Sequence, residues 1–182
     1  MGIYTRLAEL TNVGSTDFDG TGTAALRTQT SHGTAIATGA TTLIMSANVA
    51  VVAGEGVSGA GIAPGTLVAA DSSGSATFTI DTATIGSIPA GTVLTFHPTT
   101  VTLSAADANI LPGQPVAGAG IPVGAVVLSY TSGGPSIKLS LPITASLASA
   151  ALTFTKGSLT VAKVSGWGVY GVRRLLTTPY CS

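Results

Sequence analysis

Few residues of this chain could do chemistry, and they lie far apart in the sequence. Only 8% of its 182 residues are charged, and it has two histidines and one cysteine. Asp17, Asp19 and Gly20 match the start of a calcium loop, but the third acid and the bidentate glutamate of such a loop are missing. His32 and His97 have no acid or cysteine at ligand spacing. We therefore expect no metal site, a solvated turn in place of the calcium loop, and a turn residue at His97.

Two further segments match patterns of cofactor binding or catalysis only in part. Residues 54–59, Gly-Glu-Gly-Val-Ser-Gly, fit the dinucleotide pattern G-x-G-x-x-G, which binds pyrophosphate where a helix follows it. The next residues, 60–65, read Ala-Gly-Ile-Ala-Pro-Gly and cannot readily start a helix. Ser58 comes closest to the nucleophile pattern G-x-S-x-G, which Ala60 breaks. We expect no cofactor, no catalytic residue and no enzymatic activity.

The C-terminal segment concentrates the residue types that are enriched at protein interfaces. The candidate interface residues are Trp167, Tyr170, Arg173, Arg174 and Tyr180. The alternative is that Trp167 and Tyr170 are core residues of a final strand. Cys181 is the only cysteine, so it is either an incidental thiol or a candidate intermolecular disulfide.

The net charge of zero hides a segregation of charge along the chain. Residues 41–137 carry only acids and residues 138–182 only bases, so the two stretches can attract each other within the fold or attach one copy to another. The bases are not clustered, and we expect no nucleic-acid partner. The most apolar window, residues 110–130, contains three prolines and four glycines, which predicts strands and turns and no membrane span.

An internal repeat organises most of the chain. Residues 41–96 and 99–154 align with an offset of 58 or 59, with one single-residue insertion and one single-residue deletion. The matching groups are Thr41-Thr42 with Thr99-Thr100, Gly59-Ala60-Gly61-Ile62 with Gly118-Ala119-Gly120-Ile121, and Leu94-Thr95-Phe96 with Leu152-Thr153-Phe154. The repeat predicts four domains or segments: residues 1–40 as an N-terminal arm or flank, 41–98 and 99–156 as β repeats, and 157–182 as a basic, aromatic tail.

Short alternating segments separated by Gly and Pro predict the same strands in both repeats. The predicted strands are Thr42–Ser46, Thr66–Ala70, Ala76–Asp81 and Thr92–Phe96 in the first repeat, and Thr100–Ser104, Ala125–Tyr130, Ser136–Leu141 and Ala150–Phe154 in the second. Gly-containing turns at 72–74 and 131–134 predict hairpins. The predicted fold is all-β, with two small β-sandwich or barrel units. The polar stretch Gly14–Thr23 predicts an arm or loop.

One phrase of the repeat resembles a sequence found in virion proteins of tailed bacteriophages. Residues 57–68, VSGAGIAPGTLV, and residues 116–127, VAGAGIPVGAVV, are similar to the phrase V-x-G-x-G-I-P-x-G-T-x-V of their head-decoration, fibre and tail proteins. Each copy departs from that phrase at some positions. The resemblance covers about residues 41–154 and implies a non-enzymatic, β-rich structural part of a virion.

The resemblance leaves several roles open. Capsid decoration or cement, bound to the major capsid protein, is the first, and a neck, tail or fibre component is the second. A bacterial surface adhesin or carbohydrate-binding module is a further alternative. Free strand edges can pair with another chain, so we also expect a homo-oligomer, most simply a homotrimer.

Overall fold

The computed structural model describes residues 18–48, 50–72, 74–106, 110–130 and 134–155. These residues form eleven strands and no helix, and all paired strands are antiparallel, which confirms the all-β prediction. The strands are β1 Phe18–Ala24, β2 Arg27–Thr30, β3 Thr42–Ile44, β4 Gly56–Ser58, β5 Thr77–Thr79, β6 Val93–His97, β7 Thr100–Leu103, β8 Val116–Gly118, β9 Val127–Tyr130, β10 Ser136–Leu139 and β11 Leu147–Phe154.

Six of these strands form a ring that contains the second repeat. Their order is β8-β11-β1-β7-β10-β9. The two ends of this sheet are joined, because Pro115 bridges to Val126 and the amide of Val127 donates to the carbonyl of Gln114 at 2.9 Å. We call this ring, with its strands β1 and β7 to β11, the second barrel.

The first repeat forms a ring with the same order of elements. Its regular pairs are β2-β6-β4 and β3-β5. Three isolated antiparallel bridges connect these groups and close the ring: Ser31 to Met45, Gly56 to Leu67, and Val68 to Ile80. We call this ring, with strands β2 to β6, the first barrel.

Each barrel encloses its own cluster of buried apolar side chains, because alternate residues of a strand point to the same face. Many members of the two clusters stand 58 or 59 residues apart, such as Leu43 with Val101 and Phe96 with Phe154. In the first barrel the rings of Phe78 and Phe96 meet edge to face, 5.5 Å between centroids. The repeat of the sequence is thus also a repeat of buried positions.

The predicted strands of the two repeats correspond to strands with small shifts in their ends. The exception is Thr66–Ala70, which contributes bridges at Leu67 and Val68 but no regular strand. The apolar window 110–130 contains β8 and β9 with turns between them, as predicted.

The prediction for the N-terminal flank was wrong over its described part. Residues 18–24 form strand β1 where an arm or loop and a solvated turn were expected. β1 lies between β11 and β7 of the second barrel. β2 lies beside β6 of the first barrel, and the residue after β2, Ser31, bridges to Met45, the residue after β3. The error has a physical cause: the partners of β1 lie in the second repeat, so no local pattern reveals the pairing.

Candidate functional site

The predicted interface residues lie outside the described residues. Strand β11 ends at Phe154, and the description of the chain ends at Thr155. Trp167, Tyr170, Arg173, Arg174, Tyr180 and Cys181 therefore stay predictions from the sequence. The chemistry of the described part rests on one histidine, its serine partner and three acids.

The ring of His97 bonds within the first barrel through one nitrogen and to the second barrel through the other. His97 is the last residue of β6, and not the turn residue that the sequence predicted. Its Nε2 lies 2.8 Å from Oγ of Ser58 in the first barrel. Its Nδ1 lies 3.0 Å from the carbonyl oxygen of Ile143, which belongs to the core of the second barrel. We call this group of three residues the junction.

The bond to Ile143 fixes the tautomer of the neutral ring. A carbonyl oxygen only accepts, so Nδ1 donates to it, and Nε2 then accepts a hydrogen bond from the hydroxyl of Ser58. The order of nucleophile, base and orienting group is that of an activated serine. The orienting group here is the backbone carbonyl of Ile143, whereas an activated serine site commonly has a carboxylate at this place. Ser58 is exposed on the surface of the barrel.

The junction is also a place of close packing. A Cβ built on Gly56 would lie 3.1 Å from Cβ of His97 and 3.1 Å from Cγ of Pro142 in the second barrel. The amide of Ile143 donates to the carbonyl of Pro98 at 3.0 Å. These contacts make the junction a clasp between the barrels.

Glu55, in the middle of the Gly-Glu-Gly segment, stabilises the backbone. Its side chain is buried, accepts a hydrogen bond from the amide of Val52 at 3.3 Å, and forms an ion pair with Arg27 of β2. At the matching position of the second barrel, Oε1 of Gln114 accepts from the amide of Leu111 at 2.9 Å. The neutral amide of Gln114 accepts the equivalent backbone hydrogen bond in the second barrel. The role of Glu55 therefore does not require an acid, and we infer that it is structural.

Two other acids also accept hydrogen bonds from the backbone. Oδ1 of Asp71 accepts from the amide of Ala53 at 2.6 Å, and Oδ1 of Asp81 accepts from the amide of Leu67 at 2.8 Å. The counterpart of Asp81 in the second barrel is Ser140, whose Oγ accepts from the amide of Val126 at 3.0 Å. Within the described residues, no group of three or more His, Cys, Asp or Glu could hold a metal ion.

The glycines of the repeated phrase are required by close packing. A Cβ on Gly59 would lie 2.5 Å from Leu94, and one on Gly118 would lie 2.7 Å from the carbonyl oxygen of Ala151. Gly61 and Gly120 have φ near +80°, and a Cβ built on either would lie 2.7 Å from its nearest neighbouring atom. The phrase V-x-G-x-G therefore allows the same close packing in both barrels. After the segment 54–59 the chain continues into turns and not into a phosphate-binding helix.

The chain matches no protein-family model, no curated protein and no solved structure. Among the residues that the structure describes, there is no helix with the length and apolar character needed to cross a membrane.

Proposed function

We propose that this chain is a non-enzymatic structural protein of a tailed-bacteriophage virion, and specifically a decoration or cement protein that binds the major capsid protein. The observation that carries the proposal is the repeated phrase that resembles virion proteins. In both copies its two central glycines allow backbone and side chains to pack closely. The same phrase thus serves the same structural purpose twice, as expected of a building block.

The use of the polar side chains supports a structural role. Glu55, Asp71 and Asp81 accept hydrogen bonds from backbone amides, and His97 holds the two barrels together. These side chains stabilise turns and the junction. A protein that reinforces a shell needs such internal order more than it needs a reactive group.

The described aromatic residues favour the virion proposal over a carbohydrate-binding module. Such a module needs aromatic rings exposed on a surface, whereas Phe78, Phe96 and Phe154 are buried in the two cores. Tyr130 is only partly buried and packs against the second core. Sedimentation with capsids and, separately, with tails distinguishes a head location from a neck, tail or fibre location.

The closed rings change the expected mode of binding. Barrels remove free strand edges by pairing them within the chain. The partner contact is therefore proposed to use side chains, foremost Trp167, Tyr170, Arg173, Arg174 and Tyr180. The capsid protein and further copies of this chain, as a homotrimer, are the proposed partners, and the virion is the proposed location.

Sedimentation with capsids tests the proposal. Purified full-length protein is mixed at micromolar concentration with undecorated capsids and, separately, with purified tails, and the pelleted protein is measured. We expect saturable binding to capsids, loss of binding in the combined variant Trp167→Ala, Arg173→Ala and Arg174→Ala, and normal binding in the exposed control Thr28→Ala. Binding to tails alone would move the protein to the alternative location, and binding to neither would contradict a virion role.

A further inference from the structure

We propose that Ser58 is an acyl-acceptor site, a serine hydroxyl that His97 activates to take one acyl group from an activated ester or thioester. The residues belong to the junction, but the reaction is separate from the connection between the barrels. It is a single covalent modification of the chain and requires no turnover. The reactivity of Ser58 is independent of the proposed virion role.

The hydroxyl of Ser58 has a base in direct contact. Its Oγ lies 2.8 Å from Nε2 of His97, within the distance at which a general base takes a proton. The carbonyl of Ile143 accepts from Nδ1 at 3.0 Å, so the lone pair of the neutral ring is on Nε2 and faces Ser58. The same carbonyl stabilises the ring once Nε2 has taken a proton, because it then accepts from a charged donor. A nucleophile, its base and a group that orients the base are thus in place.

The connection between the barrels does not use Ser58. The ring of His97 reaches the second barrel through Nδ1 and the carbonyl of Ile143. Its bond to Ser58 lies inside the first barrel, between the paired strands β6 and β4. The connection therefore occupies one nitrogen of the ring and leaves the other, Nε2, to act on the hydroxyl of Ser58.

The barrel fold does not need this pair of side chains. The glycines and buried apolar residues beside the pair recur in the second barrel. The positions of Ser58 and His97 hold Ala117 and Thr155 there, at the offsets of 59 and 58 that their neighbours also have. Two acids of the first barrel, by contrast, have polar counterparts that accept the same backbone hydrogen bond. Because Ala117 has no hydroxyl, the hydroxyl of Ser58 is not required by the strand that carries it.

The surroundings of the hydroxyl suit an uncharged acyl group. Ser58, Gly59 and Ala60 are exposed in succession, and neither of the two following residues has a side chain larger than a methyl group. The junction consists of a hydroxyl, an imidazole and a carbonyl, with no fixed charge. Phosphoryl transfer needs cations around the phosphate oxygens, whereas transfer from an ester or thioester does not. The substrate class is therefore an acyl donor with a good leaving group.

The transfer balances without a further reactant. Oγ of Ser58 forms a bond to the acyl carbon as its proton passes to Nε2 of His97, and the electron pair of the carbonyl double bond moves to the carbonyl oxygen. When that pair returns, the bond from the acyl carbon to the leaving oxygen or sulfur breaks. The leaving group takes the proton from Nε2 and departs as an alcohol or thiol. Ser58 then carries an ester, and His97 is neutral again.

Acetylation by p-nitrophenyl acetate tests the proposal on the full chain. The background is Cys181→Ala, which removes the competing thiol. Released nitrophenol is followed by absorbance, and the acetylated peptides are identified by mass spectrometry. Ser104 is the internal control, because its exposed hydroxyl has Oγ1 of Thr21 at 2.7 Å in place of a base. We expect Ser58 to be acetylated about 100-fold faster than Ser104, the lower end of what a positioned general base contributes. Equal acetylation of the two serines would overturn the proposal, and this comparison needs no variant of the junction.

Variants of the two side chains separate the nucleophile from its base. His97→Gln keeps Ser58 and removes the base, so we expect the acetylation of Ser58 to slow by about 100-fold while that of Ser104 is unchanged. His32→Gln is the matched control, because that histidine is exposed and lies outside the junction, and it is expected to leave both rates unchanged. Ser58→Ala is expected to abolish the fast release of nitrophenol. Release at the unmodified rate by Ser58→Ala would make His97 the nucleophile and overturn the proposal, as would an unchanged rate at Ser58 in His97→Gln.

Discussion

Gly22 lies directly against Leu152, and the contact leaves no room for a methyl group. A Cβ on Gly22 would come within 2.6 Å of Cδ1 of Leu152 and within 2.7 Å of Cγ1 of Val101. Both neighbours are fully buried in the second core. The path of the chain through the second barrel thus depends on a glycine in β1.

Substitution of this glycine tests the contact. We expect Gly22→Ala to lower the free energy of unfolding by about 1–3 kcal/mol, the usual cost of overpacking a core. Gly33→Ala is the matched control, because nothing lies within 4 Å of a Cβ at that position. Urea denaturation followed by circular dichroism measures both variants. Equal stability of the two variants would contradict the close contact of Gly22 with Leu152 and Val101.

The glycines of the repeated phrase give a second comparison. Gly61 and Gly65 share a φ of +80°, but a Cβ on Gly61 meets the carbonyl oxygen of Gly86 at 2.7 Å, whereas one on Gly65 meets nothing. We expect Gly65→Ala to cost about 1–2 kcal/mol for the left-handed backbone alone. Gly61→Ala is expected to cost at least about 1 kcal/mol more, because it also overpacks the barrel.

The second barrel allows the same comparison. A Cβ on Gly120 would contact neighbouring atoms, whereas one on Gly124 would contact none. Melting temperatures of the four alanine variants check the prediction. We expect the melting temperature of Gly61→Ala to lie below that of Gly65→Ala, and that of Gly120→Ala to lie below that of Gly124→Ala. A reversed order in either barrel would mean that packing around the phrase does not explain its glycines.

The pairing of Glu55 with Arg27 predicts a pH effect in the second barrel. Gln114 takes the place of Glu55 there, and the strand position that matches Arg27 holds Phe18. Gln114→Glu would bury a carboxylate without that arginine, at a cost of about 1–3 kcal/mol at pH 7. The loss is expected to shrink at pH 4, because the introduced carboxyl is then partly protonated and resembles the neutral amide.

Denaturation curves of Gln114→Glu at pH 7 and pH 4 measure this effect. Thr28→Glu is the control, since the residue is exposed and a surface substitution is expected to change stability by about 0.5 kcal/mol or less. A loss of stability in Gln114→Glu that is the same at both pH values would contradict the electrostatic cause.

The junction predicts different costs for the two histidines. His97→Ala removes one hydrogen bond within the first barrel and one that connects the two barrels, and at about 1 kcal/mol each we expect a loss of about 2 kcal/mol. Ser58→Ala removes one of the two and is expected to cost about half as much. His32→Ala is the control, because that residue is exposed. Thermal unfolding of the three variants checks the order, and an effect of His32→Ala as large as that of His97→Ala would contradict the clasp.

Most strands of the two repeats could be predicted because their signals are local. Alternation along Ala76–Asp81 and Ser136–Leu141 placed β5 and β10. The predicted turns at 72–74 and 131–134 include residues outside the described part of the chain. The internal repeat indicated which positions share a role, and Phe96 and Phe154 are indeed buried alike. The candidate site was harder to predict. Ser58, His97 and Ile143 lie in three separate segments, and no spacing rule connects them.

The sequence by itself determined the class of fold and the duplication, since these follow from patterns along the chain. Only the tertiary structure decided that β1 belongs to the second barrel and β2 to the first. That decision depends on contacts such as Gly22 with Leu152, which form between distant residues. It also decided that His97 is a clasp, because a histidine acquires its role from the atoms that the fold brings to its two nitrogens.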